Sequence, residues 1–170
     1  IFLTLLATLN CCDKDDMDTL PPATQTGANT VGCLVNGKVF LPYQEGIYPA
    51  VNVFYQYIDG EFFFRLVFKD QRGVNNKTVT VGTGFIELEA GQTYVLDKNS
   101  KDDGDYTGGG GTYSLSVQNI YFTNTSTTGE LTITRVDLSN SIISGTFWFD
   151  AINKDGDTVK IRDGRFDYKY

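Results

Sequence analysis

Residues 61–70 read EFFFRLVFKD. Phe62, Phe64, Leu66 and Phe68 fall on one side of this stretch, and Phe63, Arg65, Val67 and Lys69 on the other. That is the period of a strand, whose successive side chains point to opposite faces, and here one face is wholly apolar. Asp59-Gly60 precedes it, and another apolar run, 50–58, precedes that pair. An Asp-Gly pair between two such runs supplies the positive φ angles of a two-residue type I′ turn, so a β-hairpin is expected here.

The same code recurs beyond Thr30. In TYSLSVQ, Tyr113, Leu115 and Val117 alternate with Ser114, Ser116 and Gln118, and at the end of the chain Phe166, Tyr168 and Tyr170 alternate with Arg165, Asp167 and Lys169. Asn36-Gly37 predicts a second type I′ hairpin, and Asn153-Lys154-Asp155-Gly156 a longer loop closed by a left-handed glycine. Asp163-Gly164 reads as either a tight turn or a bulge; the shortness of TVKIR before it favours a bulge within one long final strand. Strands are expected at 31–35, 38–43, 50–58, 61–69, 77–89, 92–96, 112–123, 130–137 with 141–150, and 158–169. Helical spacing is nowhere sustained. The fold class is therefore all-β, an antiparallel β-sandwich of about nine to ten short strands, with a flattened up-and-down β-barrel as the alternative. Gly82, Gly84 and Gly145 are candidate bends that favour the sandwich.

Composition limits what such a domain can do. A net charge of -7 and the scatter of Lys and Arg remove the electrostatic footprint that a phosphate backbone requires, so nucleic acid is not an expected partner. The chain has no histidine, which excludes His-dependent triads, Cys-His dyads and the usual zinc sites. Three cysteines are too few for a disulfide framework. Cys33, inside the apolar VGCLVNG, is expected to be a small buried hydrophobe.

The beginning of the sequence has a different character. IFLTLLATL, residues 1–9, is too short to span a bilayer but has the apolar character of a secretory signal. Followed by Asn10-Cys11-Cys12, it resembles a lipobox, the site at which a cysteine receives a diacylglyceryl anchor and becomes the mature N-terminus. With Cys12 as acceptor, Leu9 falls three residues before it, where lipoboxes carry leucine; with Cys11, Thr8 falls there, so Cys12 is preferred over Cys11. Asp13-Lys14-Asp15-Asp16 resembles the acidic export signal that sends lipoproteins of Bacteroidota to the outer face of the outer membrane. The expected organisation is a truncated lipoprotein signal peptide over 1–11, an acidic and Pro/Thr-rich mobile linker over 12–29, and one antiparallel β domain over 30–170. The Asp-Thr-aliphatic triplets at Thr19 and Thr158 resemble O-glycosylation sites of that phylum, with Thr19 the accessible one.

GELTITRVDLSNSIISGTFWFDAINKDGDTVKIRDGRFDYKY, with PPATQTGANTVGCLVNGKVFLP near the start, resembles a family of small lipoproteins from Bacteroidota that carries a domain of unknown function. The resemblance implies an outer-membrane lipid anchor facing the cell exterior. It implies no activity, cofactor or catalytic residue.

Candidate sites follow from residue chemistry. In DKNSKDDGDYTGGGG, Asp97, Asn99, Asp102, Asp103 and Asp105 could bring hard oxygen ligands around Ca2+, although Lys101 breaks the spacing of an EF-hand and a solvated hairpin tip explains the segment equally simply. Glu87 with Glu89, or Asp150 with Asp163, are the carboxylate pairs a hydrolase would need. A solvated strand face accounts for them without catalysis, so no catalytic residue is assigned. Aromatic residues make up 14% of the chain, and Phe54, Phe63, Tyr121 and Trp148 lie opposite their strands' main apolar stripe. If exposed, Trp148, Phe63 and Tyr121 would offer a platform to a sugar ring or partner protein. The expected function is a non-catalytic, surface-displayed lipoprotein whose domain binds a glycan or an envelope protein. A glycan-processing accessory enzyme and a purely structural envelope component are the alternatives.

Overall fold

A computed structural model describes residues 19–99 and 107–170. It is all-β. Among the described residues eleven strands run β1 Thr30–Val35, β2 Lys38–Phe40, β3 Val51–Ile58, β4 Glu61–Asp70, β5 Lys77–Gly84, β6 Thr93–Leu96, β7 Gly108–Ser116, β8 Asn119–Phe122, β9 Gly129–Asp137, β10 Ile142–Ile152 and β11 Thr158–Lys169. They form one sheet in the order β2-β1-β11-β10-β9-β6-β7-β5-β4-β3, with β8 pairing β7 and β10.

The sheet folds over on itself as a sandwich. Alternation turns Phe64, Leu66 and Phe68 of β4 inward, where they meet β10, β11 and β2: Phe64 stacks on Phe166 at 5.6 Å, Phe68 meets Phe147 at 6.3 Å, and Phe40 meets Phe68 at 5.6 Å. Val79, Val81, Leu131, Ile133, Ile143, Phe149, Ile161 and Cys33 complete a core without solvent exposure. At that depth, burial pushes the Cys33 thiol far above its ordinary pKa, as befits an inert hydrophobe. β6 carries the ladder from one half to the other, antiparallel to β9 and parallel to β7 at Leu96↔Gly109. β2 and β3 are the two ends of the path and do not pair, so the sheet is not a closed barrel.

Local chemistry explains the connections. Asn36-Gly37 (φ 49° and 79°) and Asp59-Gly60 (φ 51° and 95°) make the two expected I′ turns. β11 is one long strand. Phe147 faces Gly164 and Phe149 faces Ile161, so Arg162 and Asp163 together oppose Trp148 in a β-bulge, with Asp163 at φ 51°.

Four expectations are corrected. Residues 112–123 are not one strand: β7 ends at Ser116 and turns back at Val117-Gln118 into β8. Ser116 supplies the turn chemistry, its Oγ accepting from the Gln118 N–H. The glycine run is not a loop either, because Gly108–Gly111 open β7. A β-carbon at Gly109 would lie 2.8 Å from Leu96 and one at Gly111 2.8 Å from the Phe149 ring, so neighbouring elements press on this backbone as only glycine allows. β5 stops at Gly84, which leaves Glu87 and Glu89 on a loop instead of a strand face.

The fourth correction concerns the linker, whose later residues form a strap instead of a mobile leash. Asp167 of β11, 1% exposed, accepts six hydrogen bonds, from Thr24 Oγ1, Thr26 N, Thr26 Oγ1, Gly27 N, Ala28 N and Ser144 Oγ. Lys169 N donates to Asn29 Oδ1, and Arg135 donates to the Gln25 carbonyl. Leu20 and Pro21 lie over Gly32, where a β-carbon would meet them at 3.2 and 3.1 Å.

Candidate functional site

The outward faces of the sandwich carry the candidate chemistry. On one of them, cross-strand register builds a small grid. Phe54, Arg65, Gly82 and Gly110 lie side by side across β3, β4, β5 and β7. One step along, Phe63 lies beside Gly84, and one step the other way Thr80 pairs with Thr112. Gly82, Gly84 and Gly110 have no side chains to raise, so the sheet backbone itself floors a concavity of ≈370 Å3, within the range of small-ligand sites. Its walls are Phe54, Phe63 and Phe85, with Arg65, Thr80, Thr83 and Thr112 as polar groups, and among the described residues no carboxylate lines it.

Phe85 is the unusual member. It follows β5 at φ 59°, a left-handed conformation that costs a bulky L-residue roughly 1–2 kcal/mol. That turn sets its ring edge-on to Phe63, centroids 5.1 Å apart. Strain of this kind persists where the surroundings over-determine it, and such places cluster at functional sites. A second concavity, of ≈440 Å3, continues along the same face past Arg65 and Thr80 to Asn52, Lys69 and Tyr48.

The opposite outer face holds Trp148, 36% exposed. Its indole N–H donates to Glu130 Oε2 at 3.1 Å, and the Arg162 guanidinium lies 5.2 Å over its ring. Arg162 is in turn fixed by Asp150 at 2.6 Å and by the carbonyls of Phe149 and Ile161. The bulge that aims Arg162 thus covers the indole face a sugar would stack on.

Of the aromatic candidates, Phe63 lines the glycine-floored concavity and Trp148 is engaged by Arg162. Tyr121 is 8% exposed and packs on Tyr113 at 6.0 Å, so it belongs to the core and leaves the candidate surface. The turn at 117–118, which separates β7 from β8, sets it beside Tyr113.

Among the described residues the carboxylates do not converge. Glu87 and Glu89 are exposed on their loop, and Asp150 is taken by Arg162 while Asp163 is exposed. Hydrogen bonds from Arg72 hold Asp70 below its ordinary range, and those of Asn140 and then Arg135 bring Asp137 down to about 2. At Asp167 burial opposes ionisation, but the hydrogen bonds from Thr24, Ser144, Ala28 and Thr26 outweigh it and hold the carboxyl well below the usual range. A general acid needs the opposite shift.

Of the calcium set, Asp97 pairs with Lys98 at 3.7 Å and Asn99 lines a concavity with Phe122 and Asn153. Asp102, Asp103 and Asp105 lie outside the described residues. Among the described residues no group of three or more His, Cys, Asp or Glu could hold a metal. Cys11, Cys12, Asp13, Lys14, Asp15 and Asp16 also lie outside them, whereas Thr19 is described and exposed. Arg65 and Phe85 were not read as site residues; the signal was the Gly82/Gly84 alternation beside a strand face carrying Phe63 and Arg65.

A family described as a domain of unknown function (DUF6252) matches residues 72–168, which include β5 to β10 and most of β11. No curated protein and no solved structure matches the chain.

Proposed function

The chain belongs to the DUF6252 family, and on that premise we propose that it is a surface-displayed lipoprotein of Bacteroidota whose β domain is a non-catalytic glycan-binding module. The observation that carries the binding reading is Phe85, held in a strained left-handed conformation so that its ring and Phe63 wall a glycine-floored concavity. A sugar ring presents C–H groups to aromatic faces and hydroxyls to polar neighbours, and Thr80 and Thr112 stand beside the rings to meet the latter. The separation of the carboxylates supports binding over hydrolysis.

The anchor reading rests on Leu9 three residues before Cys12, with Cys11 as the alternative acceptor, and on the acidic Asp13-Lys14-Asp15-Asp16 behind it. Because the strap is fastened from Leu20 onward, the eight residues from Cys12 reach at most about 28 Å. The domain then stands close to the outer-membrane surface.

Glycan-array binding by the full chain tests the module. Retention of a glycan is expected, with Phe63→Ala weakening it at least tenfold; retention of none by the parent protein overturns the reading. Phe85→Gly separates site from scaffold: it relieves the strained φ while removing a wall, so binding falls while the melting temperature stays within a few degrees. A large loss of stability with binding intact would make Phe85 a packing residue only. For the anchor, mass spectrometry of membrane fractions is expected to find a diacylglyceryl group on Cys12 as the first residue, and an unmodified Cys12 there contradicts it.

A further inference from the structure

We propose that this face selects acidic glycans: an extended oligosaccharide bearing carboxylate or sulfate groups lies along β4, with its anions on Arg65 and Lys69. The inference rests on the glycan-binding reading above and adds the charge class of the ligand.

The chain carries 21 acidic and 14 basic residues, so a patch of uncompensated positive charge is against its average. The two concavities along β4 meet at Arg65 and Thr80, and among the described residues no carboxylate lines either; Glu45 shares a neighbouring concavity with Lys69. Arg65 and Lys69 are both on the outward row of the strand, four residues and so about 13 Å apart. Among the described residues neither side chain makes an ion pair or hydrogen bond. The other arginines are all engaged: Arg72 by Asp70, Arg135 by Asp137, Arg162 by Asp150, and Arg165 by the Asp163 carbonyl.

An exposed arginine left unpaired in an acidic protein, next to two aromatic walls, matches a ligand that brings its own anion to a ring-shaped body. The guanidinium fork takes a carboxylate or sulfate through two parallel N–H···O bonds. Gly82, Gly84 and Gly110 span about 7 by 5 Å between backbone positions at the floor of the concavity, the dimensions of one sugar ring. The distance from Phe63 to Lys69, about 20 Å along the strand, calls for a chain of several sugars instead of one.

Titration calorimetry with the full chain tests this, using oligogalacturonate, its fully methyl-esterified counterpart, a sulfated galactan oligosaccharide and single-stranded oligothymidylate. The acid is expected to bind at least tenfold more tightly than the ester, and more weakly as salt is raised. Arg65→Gln should remove that preference by bringing the acid's affinity down to the ester's, with the melting temperature unchanged, since Arg65 is exposed. Tighter binding of the galacturonate assigns uronates, and tighter binding of the sulfated galactan assigns sulfate esters; either outcome supports the proposal. Equal affinity for acid and ester overturns the charge selectivity and leaves glycan binding standing. Undiminished preference in Arg65→Gln overturns the residue assignment, and stronger binding of oligothymidylate overturns the ligand class. No binding of any oligosaccharide defeats this inference together with the reading beneath it.

Discussion

Asp167→Ala is expected to lower the melting temperature by about 10 °C and to open residues 20–29 to proteolysis. Six donors converge on this one carboxylate, five of them from the strap, and the sixth is the buried Ser144 hydroxyl. A hydrogen bond to a charged acceptor is worth about 1.5–3 kcal/mol net, and the bonds are not additive, so a total loss of about 3 kcal/mol is expected. For a domain of this size that corresponds to the stated shift. The same carboxylate makes stability depend on acid. In the folded chain it titrates well below the usual range, while in the unfolded chain it titrates near about 3.9. Its contribution is therefore complete above the unfolded value and is lost as pH falls through the folded one. Acid titration of the parent protein should show this loss, and the alanine variant should lack that component. Identical acid sensitivity in both would show that the strap is not fastened by the charge.

Gly129→Ala is the second large effect. Gly129 opens β9, faces Phe149 of β10 on one side and pairs with Leu96 of β6 on the other. A β-carbon there would lie 2.2 Å from the Trp148 carbonyl oxygen and 2.3 Å from the Phe149 β-carbon. Neither can move without displacing β10, because one is backbone and the other belongs to a core residue with no exposure. The methyl must part the β9–β10 ladder where β6 crosses between the halves, at an expected cost of about 3 kcal/mol. Thermal unfolding followed by circular dichroism reads it as a fall of about 10 °C. A shift of only a degree or two would mean that the two strands are not packed as closely as described.

The parts of this fold legible in the sequence are those written in local code. Asn36-Gly37 and Asp59-Gly60 specify their turns through φ angles that few other pairs adopt, and the alternation in 61–70 assigns Phe64, Leu66 and Phe68 to the core. Asp163-Gly164 yielded its bulge because the segment before it was too short to be a separate strand. What escaped was set by distant neighbours. Gly108–Gly111 reads as a loop until Leu96 and Phe149 are seen pressing on it, and 20–29 reads as a tether until Asp167, some 140 residues away, gathers its amides. Val117-Gln118 carries none of the Gly or Asn that advertises a hairpin, so β7 and β8 read as one strand, and Tyr121, expected on its outer face, is buried in the structure. The candidate site was half legible. Phe63 stood out by alternation, but Arg65 becomes distinctive only when the other arginines are seen paired, and Phe85 only through its φ.

The central claim, that the glycine-floored face of β3, β4, β5 and β7 binds acidic glycans, is tested most directly by amide chemical-shift mapping of the full chain titrated with oligogalacturonate. The account predicts shifts concentrated at Phe63, Arg65, Gly82, Gly84, Phe85 and Thr112. Shifts confined to Glu130, Trp148 and Arg162 on the opposite face, or none at millimolar ligand, would contradict it.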